Sequence, residues 1–185
     1  MDRKPVDYGR SPASAPTVRE ADAAQHPEIE RLLRAAYAGY APVVAAEVFP
    51  TYLADVLDFA AEGATVLVAV EDGEVVGTAR LHLRGADVDL PAGAAYVRGV
   101  AVHPGRAGGG IARALMADCA HRARAAGATG LHLHTAPFMT RAIRLYEGLG
   151  YRRTPERDTD SAAHYGLAVH PPLRALAYRL DLTRT

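Results

Sequence analysis

The chain has 185 residues, and 21 Lys plus Arg balance 21 Asp plus Glu, so its net field gives no reason to expect nucleic acid or an anionic membrane as partner. A single cysteine, Cys119, excludes an internal disulfide and fits a reducing, cytoplasmic compartment. No apolar run reaches transmembrane length, and the length suits one domain with a full core. Residues 1–16 lack the apolar core of a signal peptide and read as a flexible polar arm ahead of a domain over 17–185. A short strand is expected at 17–21. A helical pattern follows over 28–40, with Ile29, Leu32, Leu33 and Ala36 on one face and Pro42 as its stop. A second helix is expected near 52–61, and the connection at 43–50 carries one acid, Glu47. Residues 65–70 read as a buried strand, Asp72-Gly73 as a hairpin turn, and 75–83 as the returning strand with Gly77 as a bulge. After a polar loop at 84–93 come a strand at 94–102, a glycine loop, and a helix at 111–126 that Gly127 caps. Residues 130–135 alternate, with Leu131 and Leu133 on one face and His132 and His134 on the other. A helix at 139–148, a strand beginning at Tyr151, a long polar stretch at 154–172 and a closing strand at 173–182 complete the chain. There is no internal repeat and no second domain. The order predicts an α/β (α+β) fold: a mixed sheet with helices on both faces.

The segment 97–116 carries the strongest chemical signal. Val97, Val100, Ala101 and Val102 form an apolar strand, which His103-Pro104 ends because proline cannot donate a ladder hydrogen bond. Gly105, Gly108, Gly109 and Gly110 make the loop, and from Ile111 the composition turns helical. Glycines allow close approach of backbone N–H groups, and a helix start adds partial positive charge, so the segment is suited to an anion such as phosphate. A Walker loop is excluded, since no Lys-Ser or Lys-Thr follows the last glycine. A dinucleotide fingerprint lacks its third glycine and its distal acid.

The loop resembles the coenzyme A loop of the GNAT acetyltransferases. Their pattern runs from a strand-ending Pro through Arg or Gln to Gly and then Gly or Ala, and falls here on Pro104, Ala107, Gly110 and Ala112. Ala107 departs from it, and Arg106 lies one place early. A second match is Ala142-Ile-Arg-Leu145-Tyr146-Glu147-Gly-Leu-Gly150-Tyr151, similar to the family's A-x-x-L-Y-E-x-x-G-F. The resemblance covers roughly residues 17–182. It implies a central sheet splayed in the middle, with the pantetheine arm of coenzyme A on the backbone of Val100, Ala101 and Val102. It implies the pyrophosphate on the N–H groups of Ala107, Gly108, Gly109, Gly110, Ile111 and Ala112. The implied activity is acetyl-CoA-dependent N-acetylation, by direct attack, of a primary amine on a small molecule or peptide. The alternative within the fold is a non-catalytic acyl-CoA sensor. No metal is implied, and a homodimer is left open.

Direct attack sets three tasks. A lysine-like amine, with pKa about 10.4, must lose a proton before it attacks. The oxyanion needs a donor, most simply the N–H of Val100. The leaving thiolate needs a hydrogen bond, and Tyr146 matches the family's tyrosine for that task. Many relatives carry a glutamate as base on the strand before the loop; that position here is Tyr96, and no acid lies between Ala92 and Gly110. The candidates for the base are His134, Glu47, Asp158 or a water chain, with His134 chosen for its side-chain type. Asp158, Asp160, His164 and Tyr165 in the long polar stretch are further candidates to bind the acceptor's ammonium group and supply the proton acceptor. Cys119, mid-helix without a histidine at partner spacing, reads as a small buried residue.

Overall fold

The computed structural model describes residues 15–59, 63–83, 90–168 and 172–183. The expected arm up to residue 14, and parts of the expected 52–61 helix, 84–93 loop and 154–172 stretch, lie outside them. The strands are β1 (Thr17–Glu20), β2 (Ala64–Glu71), β3 (Glu74–His82), β4 (Ala94–Val102), β5 (Gly130–Thr135), β6 (Arg152–Arg153), β7 (Thr159–Asp160) and β8 (Arg174–Asp181). The helices are α1 (His26–Tyr37), α2 (Phe49–Leu57), α3 (Ile111–Ala125), α4 (Thr140–Gly148) and α5 (Ser161–His164). The sheet runs β1-β2-β3-β4-β5-β8-β6, with β7 also paired to β8. The β4–β5 pairing is parallel and the rest are antiparallel.

The central strands are covered on both faces, which is why 65–70 reads as a continuous apolar run. Leu67 and Ala69 pack in a core with Ile111, Leu115 and Met116 of α3, while Val68 packs with Ile29, Leu32 and Leu33 of α1 on the opposite face. The β2–β3 turn has positive φ at both Asp72 (51°) and Gly73 (86°), the type I′ geometry that an Asp-Gly pair favours. Two helices begin earlier than their periodicity suggests. Pro27 and Pro50 sit in the first turns of α1 and α2, where a missing N–H has no intrahelical role. The α1 helix also ends before Pro42, passing at Tyr37 into a 3-10 turn over Ala38–Tyr40.

Part of the stretch expected to be irregular is ordered. A 3-10 turn (Pro155–Arg157), β7 and α5 succeed one another there. Short elements of two to four residues leave no period to read. Ala162 of α5 packs with Val44 and Val48, which ties this stretch to the connection between α1 and α2.

Gly77 is needed for close approach. A Cβ placed there would lie 2.6 Å from Ile111 Cγ2 and 3.0 Å from Leu115 Cδ1. The β2–β3 register shift lies beside it, between Ala69 and Val70. Gly77→Ala should therefore push α3 off the sheet and destabilise the protein by about 1–3 kcal/mol. The urea midpoint reads this directly, with Gly39→Ala as control, since a Cβ at Gly39 meets no atom within 4 Å. Equal midpoints for the two variants would show that the sheet does not depend on this contact.

Candidate active site

The site begins at an irregularity in β4. Thr78 pairs with Ala101 and Arg80 with Arg98, so Gly99 and Val100 together face Ala79 alone. This is a β-bulge, and Gly99 has the positive φ, 61°, that favours glycine. The extra residue inverts the alternation of the strand. Ala95 and Val97 pack toward α3, and beyond the bulge it is Val100 and Val102 that do so, while Ala101 joins the α1 side. A bulge also bends its strand. The parallel pairing of β4 with β5 covers Ala94, Ala95 and Tyr96 and stops there. Beyond Tyr96 the two strands part, and the β4 edge from Val97 to Val102 faces an opening.

That opening is part of a cavity of about 1160 Å³. One end is the glycine loop, where Gly108 (φ 90°) and Gly110 (φ 80°) take left-handed conformations. A Cβ on either would meet no atom within 4 Å, so the backbone there faces open space. Gly110 is the N-cap of α3, and its carbonyl accepts from Ala114 N–H at 3.0 Å. Helix geometry leaves the N–H groups of Ile111, Ala112 and Arg113 ahead of that bond without intrahelical partners. Arg106 also lines this end and reaches Glu71 at 3.3 Å.

The other end is walled by aromatic and charged groups. Tyr37, Tyr40, Tyr52, Phe138 and Tyr165 line it, together with Asp55, Arg80 and Arg98. Arg80 and Arg98 sit directly opposite each other on β3 and β4, and like charges so placed repel. The α2 helix offsets them. Asp55 forms an ion pair with Arg98, and the Asp55 and Asp58 carbonyls at the negative end of α2 accept from Arg80. Tyr165 O–H donates to Asp55 Oδ2 at 3.1 Å, linking the segment after α5 to α2 across the cavity. Asp55, Arg80 and Arg98 fall in no motif of the sequence, and the signal it offers for them is a pair of arginines inside otherwise apolar strands.

His134 lines the cavity beside Tyr96. Its Nδ1 lies 3.0 Å from Tyr96 Oη and its Nε2 lies 2.9 Å from the Arg157 carbonyl oxygen. Tyr146 lines the cavity from α4 and is buried against Tyr151 and Tyr178. Burial, first of all, pushes its phenol far above the usual tyrosine range.

The profile of the "Acetyltransferase (GNAT) family" matches residues 26–151. The chain belongs to the GNAT acetyltransferase family. No curated protein matches the sequence significantly. Among solved structures, yncA of Salmonella typhimurium, solved with its cofactor acetyl-CoA, is 24% identical with a TM-score of 0.62, over 91% of this chain and 95% of that one. The PaiA N-acetyltransferase of Thermoplasma acidophilum, in complex with coenzyme A, is 12% identical with a TM-score of 0.66, over 90% and 99%. The ribosomal-protein-S18-alanine N-acetyltransferase of Escherichia coli is 17% identical with a TM-score of 0.64, over 92% and 96%. At these identities the neighbours show the GNAT fold.

Several residues weighed for chemistry take other roles in this GNAT chain. Asp158 accepts from both Nη atoms of Arg153 at 2.8 Å and from Ala177 N–H at 2.9 Å. The Arg153 hydrogen bonds, first of all, hold its carboxyl below the usual carboxylate range, so it anchors the 3-10 turn to β8 and makes a poor base. Glu47 is exposed on the connection between α1 and α2. Cys119 is fully buried in the α3 core, and burial pushes its thiol up to about 12, away from the reactive thiolate. No helix among the described residues is long and apolar enough to cross a membrane.

His132, next to His134 but one on β5, is buried, and that burial together with Arg179 and Arg157 lowers its imidazole to about 4. Unfolded, an imidazole titrates near ~6.5. Between about pH 6.5 and 4 the unfolded chain therefore binds more protons, and stability falls as pH is lowered through that window. The expected loss is on the order of 2–3 kcal/mol. Urea midpoints at pH 7 and pH 4.5 measure it, and His132→Gln should flatten the difference. A variant with the parent's full pH dependence would remove His132 as its source.

Proposed function

We propose that this protein transfers the acetyl group of acetyl-CoA directly to the primary amine of a small molecule or peptide, as one domain over residues 17–185. The observation that carries the proposal is the parting of β4 from β5 into a cavity with a glycine loop and helix start at one end and His134 at the other. The residues present suit coenzyme A. The free edge of β4 at Val100, Ala101 and Val102 offers backbone groups to the pantetheine arm. Of the expected N–H groups, those of Gly108, Gly110, Ile111 and Ala112 suit the pyrophosphate, and the open space at Gly108 and Gly110 allows its approach, while those of Ala107 and Gly109 donate to the Pro104 and Arg106 carbonyls at 3.4 Å. The acetyl-CoA and coenzyme A in the two structural neighbours support this use of the loop.

In this mechanism the amine comes from the aromatic end of the cavity and attacks the thioester carbonyl beside the fork. Val100 N–H serves the developing oxyanion. His134 is the final proton acceptor. Its Nε2 faces a carbonyl oxygen, which only accepts, so Nε2 carries the proton and Nδ1 is basic. Tyr146 donates a hydrogen bond to the departing sulfur. An ordinary phenol near ~10 would pass its proton to a thiolate near ~8.5 uphill by about 2 kcal/mol. Burial widens that gap, so Tyr146 keeps its proton, and the thiolate is protonated by water.

Release of free thiol from acetyl-CoA, measured across a panel of primary amines, tests the proposal. A folded protein that binds acetyl-CoA and acetylates no amine would instead support a sensor. Two variants probe the halves of the site. Gly110→Glu places an anion against the pyrophosphate and should abolish acetyl-CoA binding in calorimetry. The left-handed φ costs any L-residue roughly 1–2 kcal/mol, so Gly110→Ala, which carries the same strain without the charge, is the control. Equal affinities of the two would sink the phosphate assignment. Tyr146→Phe should leave acetyl-CoA affinity unchanged and lower kcat roughly 10- to 150-fold, for a charge-assisted bond of roughly 1.5–3 kcal/mol. A kcat within about twofold of the parent would make Tyr146 a packing residue.

A further inference from the structure

The place of the family's usual glutamate is held by Tyr96, a side chain too weakly acidic to act as a base near neutrality. Tyr96 is the last β4 residue paired with β5, opposite His132, so its ring stands at the fork where the strands part. Its hydroxyl lies 3.0 Å from His134 Nδ1. The Arg157 carbonyl, 2.9 Å from Nε2, fixes the proton of the neutral ring on Nε2, and the Nδ1 lone pair must therefore accept from the Tyr96 O–H. This leaves the basic nitrogen covered. A substrate amine in the cavity cannot reach Nδ1 without displacing the hydroxyl, whereas the Tyr96 oxygen keeps acceptor capacity of its own.

We infer that Tyr96 is a catalytic proton relay, taking the proton from the attacking amine while passing its own to His134. The inference rests on the acetyl transfer proposed above. The step balances as follows. The amine, its ammonium proton already given up to water, bonds through its nitrogen to the thioester carbonyl carbon, and the carbonyl electron pair moves to oxygen on the Val100 side. The nitrogen, now carrying an extra proton, gives it to Tyr96 Oη as the Tyr96 hydroxyl proton moves to Nδ1. The oxyanion pair re-forms the carbonyl, the C–S bond breaks, and its electron pair leaves on sulfur. The products are the amide, the thiolate and a His134 imidazolium, and the last two exchange protons with water.

Two features suit Tyr96 to this task. Burial raises its phenol to about 12, so the hydroxyl keeps a proton to pass on throughout the working pH range. The imidazolium, once formed, has an acceptor for each N–H: Tyr96 Oη on one side and the Arg157 carbonyl on the other. That carbonyl is placed by the 3-10 turn Pro155–Arg157, which Asp158 fastens to Arg153 and to the Ala177 N–H. Among the described residues, the charged and titratable groups facing the pair are His132 on β5, Arg157, Arg98 on β4, Arg80 and His82 on β3, Asp55 on α2 and Tyr146 on α4.

The test uses the full chain, acetyl-CoA, and phenethylamine, putrescine and an Ala-ended tripeptide as acceptor probes. Tyr96→Phe should lower kcat/KM roughly 100-fold at unchanged acetyl-CoA affinity. His134→Gln should do the same, and the double variant should be no worse than either single one, because both groups serve one proton path. The two single variants should also share one altered pH profile of kcat/KM, because both break the same proton path. Losses that multiply, pH profiles that differ between the two single variants, or a rate within threefold of the parent would overturn the relay. Should the variants fail to fold, the parent alone decides. Two protons moving together give a bowed dependence of kcat/KM on the deuterium fraction of the solvent, and a linear one overturns the inference. Turnover of none of the probes by a folded, acetyl-CoA-binding protein would overturn the acetyl transfer itself, and the relay with it.

Discussion

One backbone constraint underlies the site: the extra residue in β4. With Gly99 in the left-handed region, two residues of β4 oppose one of β3, and the faces of the strand exchange. The exchange lets one strand serve two purposes. Before the bulge, Tyr96 and Arg98 lie on the α1–α2 side of the strand. After it, Val100 and Val102 turn their side chains to the α3 core, and the bent strand leaves its edge free of β5. Pairing in full register would close the sheet and remove the cavity.

The wall on the α1–α2 side is organised by charge. Arg80 and Arg98, opposed across β3 and β4, would repel each other if left alone. Among the described residues, their hydrogen-bond partners are the Asp55 carboxylate and the carbonyls of Asp55 and of Asp58, the C-cap of α2. The position of α2 is thus tied to the strand that carries the bulge. Tyr165 reaches the same carboxylate from the far side of the cavity, so one acid holds together three parts of the cavity wall.

The proposed proton path rests on a second convergence, that of Tyr96 and His134. They are 38 positions apart in the chain and meet because β4 and β5 are parallel neighbours up to the fork. Asp158, which by residue type alone is a fair candidate base, takes a different part. Its two oxygens are committed to Arg153 and Ala177, and it acts by fixing the turn whose carbonyl orients His134.

Much of this was legible in the sequence. The strands β2 to β5, the α3 helix and the loop before it follow from local signals: apolar runs, an Asp-Gly turn, clustered glycines and a helix-forming run after them. Each is decided by residues close together, and so each survives without tertiary context. The two motifs at 104–112 and 142–151 carry the resemblance to the GNAT family for the same reason. What failed locally had no period to read. The starts of α1 and α2 lie two or three residues ahead of the apolar periodicity, in first turns that bury little, and the short elements after Arg153 are held by packing against β8 and the 41–48 connection rather than by any period of their own. The sequence by itself determined the α/β class, the glycine loop and the presence of Tyr146 and His134. The tertiary structure alone decided the bulge at Gly99, the balance of Arg80 and Arg98 against α2, and the pairing of Tyr96 with His134. Those depend on strand register and on hydrogen bonds between residues tens of positions apart, which no local pattern of residue types records.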